Sequence, residues 1–120
     1  IHELIHILKK VSPDTIIVLG GPEVTHEPFR VDLALADYIV QGEGDVAFYQ
    51  LCDKVLNHKH IDDKIQKITL PSLKELKFPY KYYSDDDIKN RYLYVELSRG
   101  CPFACEFCLS SMDEKVRAFD

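Results

Sequence analysis

The chain contains no apolar run approaching the roughly 20 residues that a helix needs to cross a bilayer, so no membrane span is expected. A basic segment, short apolar stretch and small-residue cleavage site are not legible at its start, so no secretory signal is expected either. Basic charge is in short supply, with 15 Lys and Arg against 20 Asp and Glu and a formal net charge of -5. A nucleic-acid surface needs a basic stripe, so nucleic acid is not expected as a partner, and the acidity reads as solubility. There are no internal repeats. Position 1 is Ile rather than Met and the first residues already read as mid-helix, while the chain stops at Asp120 just as a new helical pattern opens. Both ends are therefore expected to be cuts through a larger protein.

Cysteine is scarce too, with four in 120 residues. Cys52 stands alone inside a helical pattern and reads as a small buried apolar residue. Cys101, Cys105 and Cys108 crowd one short stretch, which in a cytosolic protein points to metal rather than to disulfides. A cytoplasmic location is expected on that reading.

The remaining composition is that of a globular domain, and the pattern along it is α/β. Leu4, Ile5, Leu8 and Val11 recur at helical spacing over residues 2–11, and Ser12-Pro13-Asp14 ends that helix. TIIVL at 15–19 is a short β-branched run of the kind buried on both faces of a parallel sheet. Residues 26–36 read as a short helix and a loop, and 38–40 as a second buried strand. A helix is expected from Asp45 to about Asn57, with Val46, Phe48, Tyr49, Leu51, Cys52, Val55 and Leu56 as its apolar stripe. Helix, strand, helix, strand, helix implies parallel strands joined by crossover helices. Residues 58–91 read as a linker, with one short strand near 65–70. YLYVELS at 92–98 reads as a strand by alternation, and residues 110–120 as the opening of a helix. Two strands and three helices make a thin core, so self-association through an open sheet edge is expected.

The first two predicted strands run into glycine: Gly20-Gly21-Pro22 after the first and Gly42-Glu43-Gly44 after the second. In a doubly wound sheet, ligands bind beyond the carboxyl ends of the strands, and the second loop opens a helix whose N-terminus suits an anion. By spacing alone these glycines serve tight strand-to-helix turns equally well. The loop carboxylates of Glu23 and Glu43 have no catalytic partner in sequence and read as solvated.

GGPEVT at 20–25 and ADYIVQGEGD at 36–45 resemble the second half of cobalamin-binding domains joined to radical S-adenosylmethionine (SAM) enzymes. The resemblance implies that Gly20, Gly21, Gly42 and Gly44, with Pro22, Glu23 and Glu43 beside them, line the pocket for the lower nucleotide tail of cobalamin. An Asp-x-His-x-x-Gly motif, which supplies the lower cobalt ligand in some cobalamin domains, is absent, and His2 and His6 have the wrong neighbours for it.

SRGCPFACEFCL at 98–109 spaces its cysteines as Cys101-x3-Cys105-x2-Cys108. Three thiolates that close together can hold an iron–sulfur cluster and leave one iron open. Zinc is the rival, but zinc sites usually show CxxC pairs with a fourth Cys or His, and a disulfide would leave one cysteine over. This loop is similar to the radical SAM signature. The resemblance implies that Cys101, Cys105 and Cys108 bind a [4Fe-4S] cluster, that SAM chelates its fourth iron and is cleaved to a 5′-deoxyadenosyl radical, and that Phe107 lies near the SAM adenine.

The fold implied is α/β: the C-terminal half of a Rossmann-like, flavodoxin-like parallel-sheet domain over residues 1–57, a linker over 58–91, and the first strand of a radical SAM (β/α) barrel over 92–120. The implied parent is an anaerobic enzyme that methylates or oxidatively cyclises a small-molecule substrate, with flavodoxin or ferredoxin as electron donor. Some members of the group are labelled magnesium-protoporphyrin monomethyl ester oxidative cyclases. The piece by itself is expected to be inactive and to contain no catalytic residue. Two other readings stand beside this one: a non-catalytic Rossmann-like nucleotide-binding module, and a methylthiotransferase-like radical SAM enzyme, which would need further cluster cysteines where residues 1–51 have none.

Overall fold

A computed structural model of the chain describes residues 1–29, 31–67, 70–112 and 116–119, which fall into two compact units, Ile1–Pro71 and Ser72–Asp120.

In the first unit, helix α1 (His2–Val11) follows the predicted periodicity, with Glu3 in its first turn and Lys9 and Lys10 in its last, each complementing the helix dipole. It ends where the Ser12 amide donates to the Leu8 carbonyl, just before Pro13. Three parallel strands follow in spatial order: β1 (Val18–Gly20), β2 (Tyr38–Gln41) and β3 (Ile65–Lys67). Leu19 lies opposite Ile39, and Ile39 opposite Ile65. Between the strands lie α2 (Pro22–Thr25), a 3-10 turn at Leu33–Leu35, and α3 (Gly44–Leu56). Successive residues of a strand face opposite sides of its sheet, and β2 uses both. Ile39 packs with Ile5, Ile17, Val24 and Ala36, whereas Val40 packs with Ala47 and Leu51 of α3. The sheet is therefore covered on both faces, as the α/β, Rossmann-like reading requires.

An ion pair fastens α1 to the sheet. Lys9 Nζ reaches the Asp37 carboxylate at 2.7 Å and the Thr15 carbonyl at 2.7 Å, and the Ile17 amide donates to the same Asp37 oxygen at 2.7 Å. Burial pushes the Asp37 carboxyl up, but the hydrogen bonds from Lys9 and Ile17 and the charges of Lys9 and Lys64 outweigh it and hold the group below its ordinary value.

Several expectations need correction. The first strand is not TIIVL but Val18–Gly20, and it is not buried on both faces: Ile16 is half exposed and Val18 and Leu19 partly so. The reason is position, since β1 lies at an edge of this sheet and a hydrophobic run alone does not supply a neighbour. Leu4, Leu8 and Val11 are exposed on α1, where only Ile5 is buried. On α3, Ala47 and Leu51 carry the burial, Phe48, Tyr49 and Leu56 are exposed, and Cys52 is only half-buried. The strand near 65–70 is present as β3; residues 68 and 69 lie outside the described residues.

The second unit opens with 3-10 turns at Leu73–Glu75 and Pro79–Tyr82 and a short helix α4 (Asp85–Asn90). A capping box starts α4: the Ser84 hydroxyl accepts from the Asp87 amide, and the Asp87 carboxylate accepts from the Ser84 amide. The Ser84 side-chain and backbone hydrogen bonds lower the Asp87 carboxyl below its usual value. Phe78 stacks on Tyr80 at 4.9 Å and meets Phe119 edge-on at 4.6 Å. Strands β4 (Ser98–Arg99) and β5 (Arg117–Ala118) pair antiparallel.

The strand expected over 92–98 is thus reduced to Ser98–Arg99. A strand needs a ladder, and here side chains take the backbone groups instead. The Tyr80 hydroxyl accepts from the Glu96 amide at 2.6 Å, and the Tyr83 hydroxyl donates to the Tyr94 carbonyl at 2.9 Å. The helix expected over 110–120 is replaced by a 3-10 turn at Leu109–Met112 and then by β5, with residues 113–115 and 120 outside the described set. Within that turn the Ser111 hydroxyl donates back to the Cys108 carbonyl at 2.7 Å. No helix among the described residues is long and apolar enough to cross a membrane.

Candidate functional site

The carboxyl ends of β1 and β2 open into a cleft of about 500 Å³. Gly20, Gly21, Gly42 and Gly44 line it together with Val18, Leu19, Val40, Asp45 and Phe48. Parallel strands place both loops there, because each must leave the same edge of the sheet before crossing back. Gly21 adopts φ 94° and ψ -177°, a region open essentially to glycine alone, and Gly42 adopts φ 81°. Gly44 differs: it carries no positive φ, and a Cβ there would make an ordinary 3.7 Å contact with Val40 Cγ1.

The structure brings the four predicted glycines together and leaves the other three loop residues outside the described lining. Pro22 and Glu23 are exposed in the first turn of α2, and Glu43 is the half-buried N-cap of α3. Asp45 and Phe48 were not singled out for the cleft from the sequence. Their spacing carries the signal, since they sit three residues apart, on one face at the start of the helix that follows the second glycine loop.

Two hydrogen-bonding side chains join the loops. The Thr25 hydroxyl donates to the Gly21 carbonyl at 2.8 Å and accepts from the Gly42 amide at 3.1 Å. The Gln41 side-chain amide donates to the Val24 carbonyl at 2.7 Å in the interior, where Gln41 is 7% exposed.

In the second unit, Cys101 and Cys105 are half-buried, Cys108 is exposed, and all three are free thiols. The Cys108 amide donates to the Cys105 carbonyl at 3.1 Å, so the last two cysteines bracket a single turn. Gly100 enters the loop at φ 86°. Arg99 grips Glu96 with two hydrogen bonds, at 2.9 and 3.1 Å, which fixes the backbone just before the loop. Phe107 is almost wholly exposed. Among the described residues no three His, Cys, Asp or Glu side chains converge closely enough to hold a metal ion. As a donor set the loop suits an iron–sulfur cluster, because three unbridged thiols lie within eight residues; in this structure they are not gathered around one point.

No protein-family model matches the chain, and no solved structure matches it. Curated proteins do. The chain is 34% identical over 101 aligned positions to bacteriochlorophyllide d C-8(2)-methyltransferase of Chlorobaculum tepidum, covering 78% of this chain and 22% of that protein. It is 30% identical over 130 positions to an uncharacterised methyltransferase of Pyrococcus horikoshii, covering 88% and 28%. It is 27% identical over 127 positions to the cobalamin-dependent radical SAM methyltransferase TokK of Streptomyces tokunonensis, covering 85% and 19%. The chain spans between 17% and 28% of the length of the curated relatives it matches. Its relatives are thus in several cases methyltransferases, one of them cobalamin-dependent and of the radical SAM type.

Proposed function

We propose that this chain is the cofactor-binding part of a cobalamin-dependent radical SAM methyltransferase. The observation that carries the reading is the order of two features on one chain. A glycine-lined cleft stands at the carboxyl ends of parallel strands, and the Cys101-x3-Cys105-x2-Cys108 loop follows it. The names of the relatives favour methylation over oxidative cyclisation.

Gly20, Gly21, Gly42 and Gly44 offer bare backbone to the nucleotide tail of cobalamin, and Phe48 offers an aromatic surface on the same wall. Pro22, Glu23 and Glu43 flank that cleft and shape its loops. Cys101, Cys105 and Cys108 would supply three thiolates to a [4Fe-4S] cluster, which would leave one iron open to SAM, and Phe107 would offer its ring to the SAM adenine. Bound there, the two cofactors would contribute methyl-carrying and one-electron chemistry. The chain's own residues bind and orient them. The substrate, its pocket and the electron donor, flavodoxin or ferredoxin, belong to the whole enzyme.

The test is anaerobic reconstitution with iron and sulfide, read by absorbance, EPR and iron content, beside the triple variant Cys101→Ala, Cys105→Ala, Cys108→Ala. The expected result is about four irons per chain in the parent and none specifically held in the variant. Hydroxocobalamin titration of the same protein tests the cleft. The scattered thiols favour one alternative, a non-catalytic Rossmann-like binding module; iron uptake that is identical in parent and variant would select it.

A further inference from the structure

The hydroxyl of Thr25 touches both glycine loops, donating to the Gly21 carbonyl at 2.8 Å and accepting from the Gly42 amide at 3.1 Å. A hydroxyl can donate and accept at once, which neither a methyl nor an ammonium can do. Both of its partners are glycines at positive φ, 94° and 81°. Glycine has the widest conformational range of any residue, so a loop built on it holds one shape only where something outside the loop fixes it. We propose that Thr25 is the positioning residue of the cleft: its hydroxyl sets the separation of the two glycine loops before ligand arrives. This rests on the reading of the cleft as the seat of the cobalamin nucleotide tail.

A neighbouring hydrogen bond separates this role from plain stability. The Gln41 side chain holds the Val24 carbonyl in the interior at 2.7 Å. Removing it leaves a buried carbonyl without a partner, which costs folding free energy directly. Thr25 is half-buried and Gly42 is exposed, so water can satisfy the Gly42 amide when the hydroxyl is lost. The fold then survives while the loops lose their fixed spacing, and a ligand must order them on binding. Gln41 therefore holds the fold and Thr25 holds the cleft.

The experiment compares Thr25→Val, Thr25→Ser and Gln41→Leu with the parent chain. The first readout needs no ligand: amide hydrogen exchange at Gly42, followed by NMR. Thr25→Val, which keeps the branched shape, is expected to speed that exchange by about tenfold at nearly unchanged Tm. Thr25→Ser restores the parent rate, and Gln41→Leu lowers Tm. The second readout is the Kd for hydroxocobalamin, expected to weaken by about tenfold in Thr25→Val and to return in Thr25→Ser. Unchanged Gly42 exchange in Thr25→Val overturns the proposal whatever the ligand does. If the parent chain binds no hydroxocobalamin, the assignment of the cleft fails and takes the affinity role with it, while the exchange data still decide whether the loops are held together. Normal affinity in Thr25→Val with fast Gly42 exchange also overturns it, because the loops would then be tied for the fold alone.

Discussion

At Gly21 the backbone sits at φ 94° and ψ -177°, and at Gly44 it is ordinary helix. Both glycines face one cleft, yet an added methyl meets different physics at each. Gly21→Ala has open space around the new Cβ but forces an L-residue into a region reserved for glycine, at a cost of about 1 to 3 kcal/mol. Gly44→Ala meets only an ordinary contact with Val40 and is expected to stay within about 0.5 kcal/mol of the parent. Denaturant melts of the two variants check this; equal losses at both positions would mean that space, not conformation, selects glycine at residue 21. The glycines were legible in the sequence because strand runs ended on them. Thr25 was visible in GGPEVT but its task was not, since the hydroxyl bridges to a residue 17 positions on and no local pattern encodes that.

Elements with local causes were the readable ones. Helix α1 has its stripe, charged ends and a proline stop; α3 has its stripe and a glycine loop ahead of it; and β2, buried on both faces, opens with the apolar run Tyr38-Ile39-Val40. Pairing was not readable, so β1 came out displaced and the run at 92–98 found side-chain hydroxyls where a neighbouring strand was expected. The capping box at Ser84–Asp87 was within reach of sequence reasoning, but the acidic run read as linker. Beside the buried Ile5, the Lys9–Asp37 pair ties α1 to the sheet, and its pH behaviour is predictable. The Asp37 carboxyl is lower in the folded chain than its ordinary value of 3.8. Its contribution is therefore complete above 3.8, shrinks as pH falls through the lower folded-state value, and is absent below both. The side chains are about one-third exposed, so solvent screening limits the effect to about 1 kcal/mol at most. Asp37→Asn is expected to be the less stable chain at neutral pH and equal to the parent in strong acid. A gap that persists unchanged into strong acid would assign the loss to packing rather than to charge.

Across the whole chain, burial is divided unequally. Every buried side chain among the described residues lies within Ile1–Pro71, and none lies in the described part of Ser72–Asp120. The first unit holds its own core on both faces of β2. The second relies on an aromatic stack, a two-residue ladder and side-chain hydrogen bonds, all accessible to water. Opening free energy follows buried apolar contact, so the two units should differ sharply in hydrogen exchange: amides of β2 and α3 slow, those of residues 92–112 fast. A group that binds only the ordered loop adds its binding free energy to the stability of that loop. Reconstitution with iron and sulfide is therefore expected to slow exchange over residues 100–112 in the parent chain, to do nothing in the triple cysteine variant, and to leave β2 and α3 as they were. Strong protection of residues 100–112 before iron is added would show that the loop is held by its own packing. A uniform slowing across both units would show that iron acts on the chain in general and not at these three thiols.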